Sequence, residues 1–199
     1  MALPADRTHG RWPYLAAAAA PIATAVVVAR RDQLGEDVRW ALWTAPAALL
    51  WHQTEEWFWP GGFLPWFNRE VLGSDADEFP ITRRGGLVIN VAIGWGVTAA
   101  AARGGMRTPA LGASALAVNV ANGAMHVALA ARRRRLNPGT VSSATLFLPL
   151  GVAGLAAIAR DPRGGARPLA IGLAVGAASG AGTFAGMRAR LARSRRRAG

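Results

Sequence analysis

Residues 38–59 read VRWALWTAPAALLWHQTEEWFW and indicate the class of fold to which the chain belongs. At about 1.5 Å per residue, a helix of this length crosses the roughly 30 Å apolar core of a bilayer. Trp40 and Trp43 lie near one end and Trp57 and Trp59 at the other, as in the aromatic belts of membrane proteins. The stretch therefore predicts a transmembrane helix.

This predicted helix also contains ionisable side chains. The pentapeptide His52-Gln53-Thr54-Glu55-Glu56 places the only two carboxylates found inside any apolar span within a turn of a histidine. An ionisable side chain at membrane depth costs about 2.5–3.5 kcal/mol even on lenient insertion scales, so such residues mark functional sites. We interpret the pentapeptide as part of an active or binding site.

The composition extends the membrane interpretation to the whole chain. Of the 199 residues, 52% are hydrophobic and 17% are charged, and apolar runs alternate with short arginine clusters. This composition is typical of one integral membrane domain, covering residues 1–199, rather than of a soluble core. The chain contains no cysteine, which excludes disulfides and thiolate ligands.

The apolar runs predict an all-α polytopic membrane helix bundle of about six transmembrane helices. A span needs about 20 mostly apolar residues. Six segments meet this expectation, and the first of them is the weakest: residues 13–30, 38–59, 87–102, 108–131, 140–159 and 168–187.

The distribution of arginine predicts the orientation. With six spans, one side of the membrane collects 15 of the 23 arginines and the other collects 8, and the side with 15 includes the basic tail, residues 188–199. The positive-inside rule then places both termini in the cytoplasm, in a multi-pass protein of the inner (plasma) membrane. The net charge of +12 is explained by anionic lipids facing these loops and the tail, so we expect no nucleic-acid partner.

Helical periodicity brings polar residues of several spans to one level. His52, Glu55 and Glu56 fall within an arc of about 100° on the second span. The fourth span carries a polar stripe made of Asn119, Asn122 and His126. The third span adds Asn90 near its start. Because the second and fourth spans run in the same direction and the third runs back, all except the deeper Asn119 lie near the same membrane face.

Each of these residues also has a purely structural interpretation. His126 can be a hydrogen-bonded histidine between helices, and asparagines in membrane bundles often join helices. Glu55 and Glu56 lie three or four residues before Trp59-Pro60 and can be solvated at the interface. The convergence of two histidines, two glutamates and several amides at one level nevertheless favours a functional site.

Imidazole and carboxylate together form the usual ligand set of zinc or non-haem iron. We therefore predict that His52, Glu56 and His126 bind a divalent metal. Glu55 is the candidate bridging ligand or general base, so that Glu55 and Glu56 are the candidate catalytic carboxylates. Asn90, Asn119 and Asn122 are candidates for orienting a ligand or a substrate.

The order of these residues along the chain resembles that of the HXXEE family of bacterial integral membrane proteins. The resemblance covers about residues 40–150 and includes, besides His52-x-x-Glu55-Glu56, the elements Pro60-Gly61-Gly62-Phe63, Trp66-Phe67-Asn68, Asn90, His126, Asn137-Pro138-Gly139 and Pro149. It implies that His52, Glu55, Glu56, Asn90 and His126 are the family's polar positions and that residues 137–139 form a turn. In this chain Asn137 stands where members often have tyrosine, which argues against a role for that side chain.

Two functions fit these residues. The first is a metal-dependent membrane enzyme that acts on a lipid-like or apolar substrate, with the aromatic loop after Pro60 covering the site or lying in the interface. The alternative is a small proton- or cation-coupled transporter that uses the same histidines and glutamates.

Overall fold

Proline, glycine and threonine mark several helix boundaries in the computed structural model, which describes residues 11–34 and 37–198. Pro13 and Pro109 lie in the first turns of their helices, where the backbone N–H has no partner within the helix. The Thr82 hydroxyl accepts a bond from the Gly85 N–H at 3.1 Å and caps another helix. Local sequence thus sets where these helices begin.

Six long helices form the described part of the chain, which contains no strand. Short helical turns lie between some of them, at Arg31–Leu34, Phe63–Trp66 and Phe67–Val71. The long helices are α1 Trp12–Ala29, α2 Asp37–Trp57, α3 Arg83–Arg107, α4 Pro109–Arg133, α5 Thr140–Arg160 and α6 Ala166–Ala198. The predicted all-α fold is confirmed.

Five of these helices, all except α2, are long and apolar enough to cross a membrane. Helix α2 has 21 residues, a sufficient length, but it contains the histidine, glutamine and glutamates of the sequence motif. It packs against α1, α3 and α5, so its polar side chains are shielded by neighbouring helices. Helix α6 has 33 residues and extends well beyond the predicted span 168–187 into the basic tail.

Helix α4 lies at the centre of the bundle and contacts α2, α3, α5 and α6. One core cluster joins α2, α4 and α5 through Leu42, Leu116 and Ile158, each at most 1% exposed. Small residues allow α6 to approach α4 closely, because a Cβ at Gly172 would lie 2.4 Å from the Cβ of Ala113. The centre of the bundle is therefore packed through apolar and small side chains.

The outer faces of the bundle are apolar. Large hydrophobic side chains are exposed on α1 and α6, and only 11% of the apolar window of α6 is buried within the protein. Examples from α6 are Ile171, Leu173 and Val175. Such surfaces suit contact with lipid tails rather than water.

Residues 60–82, called here the cap segment, fold back onto the bundle. An apolar cluster of Leu64, Trp66, Phe67, Leu72 and Ile81 packs against side chains of α4 and α6. Asn68 is fully buried and fixes the segment, because its side chain donates to the Asp77 and Ile81 carbonyls at 2.7 and 2.9 Å and accepts from the Ile81 N–H at 3.0 Å. The cap segment is therefore a packed part of the fold.

The end of α6 also contacts the cap segment. Phe184 and Met187 pack against the apolar cluster of the cap, and Arg195 donates to the Gly73 carbonyl. Arg190 lies over the ring of Phe79 at 5.2 Å from its centroid. The basic tail therefore continues α6 as a helix and covers the cap segment on one side.

Candidate metal centre

Three side chains converge between α2 and α4. His52, Glu56 and His126 are 1%, 3% and 0% exposed, and one potential ligand atom from each lies within 4.8 Å of the other two. The Glu56 Oε1 atom is 3.3 Å from His52 Nε2 and 3.6 Å from His126 Nε2. The structure thus brings together the three residues that the sequence suggests as metal ligands.

The position of one ring proton of His126 follows from its neighbour Asn137. The Asn137 Nδ2 group donates to the His126 carbonyl at 2.9 Å, so the Asn137 Oδ1 atom faces the imidazole, 2.7 Å from His126 Nδ1. An amide oxygen can only accept, so the Nδ1 atom of His126 carries a proton. In the neutral ring the Nε2 atom therefore has a free lone pair, and this buried atom has no hydrogen-bond partner among the described residues.

His52 is oriented in the same way by Ser142. The Ser142 hydroxyl donates its proton to Glu55 Oε2 at 2.6 Å. Its oxygen therefore acts as the acceptor in the 2.9 Å contact with His52 Nδ1. The Nδ1 atom of His52 is then protonated and its Nε2 atom has the lone pair. That lone pair accepts from Asn122 Nδ2 at 3.1 Å and faces Glu56.

When both imidazoles are neutral, the three converging atoms are all electron donors: two imidazole nitrogens and a carboxylate oxygen. Acceptors that face one another in a buried site are unfavourable unless a cation lies between them. In tetrahedral zinc sites with bonds of about 2.0–2.2 Å, neighbouring ligand atoms lie roughly 3.3–3.6 Å apart. The two separations from Glu56 Oε1, 3.3 and 3.6 Å, match this spacing.

Both imidazoles also have the outer hydrogen bonds that are typical of metal-binding histidines. Such histidines donate the second ring N–H to a carbonyl, a carboxylate or a similar acceptor, which fixes the tautomer and the ring orientation. Here the acceptors are Asn137 Oδ1 for His126 and Ser142 Oγ for His52. The ligand set and its support therefore both fit a metal.

Glu55 points away from Glu56, toward the start of α5. Its Oε1 atom accepts from the Val141 N–H at 2.9 Å, and its Oε2 atom accepts from the Ser142 N–H and hydroxyl, both at 2.6 Å. A helix N-terminus stabilises an anion in this way. Glu55 therefore reaches the three-residue group only through Ser142 and His52.

Aromatic rings and a glycine enclose the two imidazoles. Phe147 of α5 stacks on His52 with centroids 4.3 Å apart, and Trp66 of the cap segment stacks on His126 at 5.1 Å. Gly139 has a φ of +97°, and a Cβ there would lie 2.6 Å from His52 Cε1 and 2.9 Å from His126 Cε1. Aromatic rings therefore form part of the wall of the site, and the turn before α5 lies directly against it.

The asparagines predicted from the sequence are distributed differently. Asn122 contacts His52, but Asn90 lies on the other side of α2, where it accepts from Gln53 Nε2 at 3.0 Å. Asn119 is buried, and no described contact joins it to the histidines or glutamates. The structure thus brings one of the three predicted asparagines to the site.

Sequence reasoning missed several residues around the site. Asn137 was expected to have no side-chain role, yet it orients His126; Ser142 orients His52, and Trp66 covers His126. The adjacent Ser143 is fully buried, and its hydroxyl has no partner among the described residues. The available signal was the pair of serines at the start of an otherwise apolar span, directly after a proline-glycine turn.

Comparison with known protein families assigns residues 43–153, more than half of the chain, to the family described as "Protein of unknown function with HXXEE motif". Comparison with curated proteins and with solved structures gave no match. The matched region runs from within α2 to within α5 and so includes every residue of the candidate metal centre. The chain therefore belongs to the family of proteins with the HXXEE motif.

Proposed function

We propose that this chain is a metal-dependent membrane enzyme in which His52, Glu56 and His126 bind a divalent metal and which acts on a lipid-like or apolar substrate. The observation that carries the proposal is the buried Nε2 atom of His126, which has no hydrogen-bond partner among the described residues and lies 3.6 Å from a carboxylate oxygen. A metal ion between these atoms would satisfy both of them.

Two histidines and one carboxylate form the ligand set of both catalytic zinc and non-haem iron(II). In such sites three protein ligands leave a coordination position open for water, oxygen or substrate, and the metal supplies Lewis-acid or oxygen chemistry there. The described structure offers three close protein ligands, which favours a catalytic over a purely structural metal.

The two glutamates have different roles in this proposal. Glu56 is the ligand, because its oxygen faces both imidazoles. Glu55 is a positioning residue, since its carboxylate already accepts three hydrogen bonds and acts on His52 through Ser142. This replaces the general-base role suggested by the sequence.

The surroundings of the site support an apolar substrate. Phe147 and Trp66 form its walls, and the helices around it have apolar outer faces. These aromatic contacts and apolar outer faces favour a substrate that dissolves in the bilayer.

Metal content tests the proposal. Elemental mass spectrometry on detergent-purified protein, never exposed to chelator, is expected to find about one equivalent of zinc or iron in the wild type and little in His52→Ala or His126→Ala. Asn119→Ala is the matched control, because it removes a buried polar side chain from the same helix without touching the cluster. Wild-type protein without metal would refute the metal centre.

A flux measurement in liposomes distinguishes the enzyme from the alternative, a cation-coupled transporter. Wild-type protein in liposomes that carries the bound metal ion into the lumen, and shows no turnover of lipid substrates, would assign the same residues to transport. An enzyme holds its metal stoichiometrically without flux. The Glu56→Gln variant controls for leakage in this assay.

The proposed location is the plasma membrane, with both termini in the cytoplasm and with anionic lipids around the basic loops and the tail. The absence of cysteine makes this testable, because single cysteines introduced one at a time at Gly104 and Ala198 are the only thiols present. In intact cells a membrane-impermeant maleimide should label position 104 and not position 198. The reverse pattern would invert the orientation.

A further inference from the structure

The Ser143 hydroxyl differs from those of five threonines in the helices. Threonines in the helices bond back to a carbonyl of their own helix, three or four residues earlier, at 2.7–2.9 Å; these are Thr24, Thr44, Thr54, Thr98 and Thr145. Ser143 makes no such bond, although it is 0% exposed. A buried hydroxyl without a partner is unfavourable and requires an explanation.

The position of Ser143 on α5 indicates where this hydroxyl lies. The Ser143 N–H donates to the Gly139 carbonyl at 3.1 Å, and Phe147 follows one turn later, so Ser143 lies between Gly139 and Phe147 along α5. Gly139 approaches both imidazoles and Phe147 stacks on His52. Ser143 is therefore on the face of α5 that lines the candidate metal centre.

Asn122 brings a second donor to the same place. Its Nδ2 group donates to His52 Nε2 at 3.1 Å, the atom that would bind the metal. A metal ion on that lone pair would displace this hydrogen bond. The amide N–H of Asn122 would then need another acceptor beside the metal.

We propose that the open coordination position binds an oxygen with negative charge, such as one oxygen of a carboxylate, and that Ser143 and Asn122 donate hydrogen bonds to that ligand. This inference rests on the proposed metal centre and adds the chemical class of the ligand. The site then accepts an aliphatic molecule with a carboxylate or a carbonyl group that becomes anionic during reaction. Donors placed where charge develops are the usual means of stabilising such a group.

A spectroscopic titration tests this inference. Cobalt(II) replaces the native metal, and sodium octanoate is added while the visible absorption of cobalt is followed. Loss of a hydrogen bond to a charged ligand weakens binding by about tenfold or more, so Ser143→Ala and Asn122→Ala are each expected to raise the Kd of octanoate by this factor. Ser114→Ala, which removes a buried serine of α4 distant in sequence from the site, should leave the Kd unchanged.

The adjacent serines separate this inference from the proposed function. Ser142→Ala should weaken cobalt binding, because it removes the support of His52, whereas Ser143→Ala should keep one equivalent of cobalt and a melting temperature equal to or above that of the wild type. An octanoate Kd in Ser143→Ala equal to that of the wild type, or no octanoate binding by cobalt-loaded wild type, overturns the inference. Wild-type protein that binds no cobalt overturns both proposals.

Discussion

The two sides of α2 hold two polar networks that differ in one respect. On the side of α3, Gln53 donates to Asn90 Oδ1 at 3.0 Å and accepts from Trp95 Nε1 at 2.7 Å, while Asn90 donates to the Gly86 carbonyl at 2.9 Å. On the side of α4, the Nε2 atom of His126 has no hydrogen-bond partner among the described residues. The first network is complete and the second is not.

This difference separates a structural network from a binding site. A buried network with every member satisfied stabilises one arrangement of helices, and it needs nothing from outside the protein. A buried network with an unused lone pair is unfavourable until a ligand completes it. The neighbours His52 and Gln53 thus belong to networks of different kinds, although both are buried and polar.

The largest expected effect is loss of the metal on removal of one of its ligands. Glu56→Gln keeps the shape of the side chain but removes the anionic oxygen between the two imidazoles. Loss of an outer hydrogen-bond partner lowers metal affinity by at most about 100-fold. We expect a larger fall here, measured by competition with a chromophoric chelator, because a ligand itself is lost. Gln53→Ala, on the other side of α2, should retain the metal. Equal affinities in Glu56→Gln and wild type would end the distinction between the two networks.

The next effect concerns the outer hydrogen bonds. Asn137→Ala and Ser142→Ala remove the acceptors that fix the Nδ1 protons of His126 and His52. Loss of such partners lowers metal affinity by about 10–100-fold, and we expect this range in the same competition assay. Thr145→Ala, an exposed hydroxyl on α5, is the matched control. Unchanged affinity in both variants would show that the tautomers are set by other contacts.

The complete network should respond in stability alone. Gln53→Leu removes the hydrogen-bond partner of the Trp95 indole N–H and of the Asn90 side-chain oxygen Oδ1. Each unsatisfied buried group costs about 1–3 kcal/mol, so the loss of both partners, in a partly buried network, should lower the free energy of unfolding in detergent by about 2–6 kcal/mol at most. The metal affinity of the folded protein should not change. A loss of metal without a loss of stability would assign Gln53 to the site instead.

The smallest effect is expected at the ion pairs between the cap segment and α4. Arg133 and Arg135 pair with Glu70 near the protein surface. Exposed pairs contribute about 0–1 kcal/mol, so Arg135→Gln should change the free energy of unfolding by less than about 1 kcal/mol and leave metal content unchanged. A larger loss, or a loss of metal, would show that the cap segment depends on this pair to cover His126.

Periodicity predicted the central part of the site. The spacing of His52 and Glu56 puts both on one face of α2, and the polar stripe of the fourth span placed His126 at the same level. The same reasoning could not separate Glu55 from Glu56, because adjacent residues on a helix differ by about 100° and their partners depend on neighbouring helices. In the structure Glu55 accepts a hydrogen bond from the Ser142 N–H at the start of α5.

Asn90 and Asn137 show why the remaining contacts were not predictable. Asn90 lies at a suitable depth in the membrane. The depth of a residue does not predict on which side of α2 its helix packs, and α3 packs on the side of Gln53. Asn137 lies in a turn, where the side chain's direction depends on how α5 approaches α4. Both contacts depend on tertiary packing, which local patterns do not contain.

The contact between α6 and the cap segment forms only after α6, the last helix of the chain, has been synthesised. The candidate metal ligands and the cap segment are synthesised before α6, yet Phe184 and Met187 of α6 complete the packing of the cap over Trp66. At about 5–20 residues per second, translation of the 33 residues of α6 lasts roughly 2–7 s. During this interval the nascent chain already contains His52 and His126 while the packing over Trp66 is incomplete, so the candidate metal centre is less enclosed than in the finished protein.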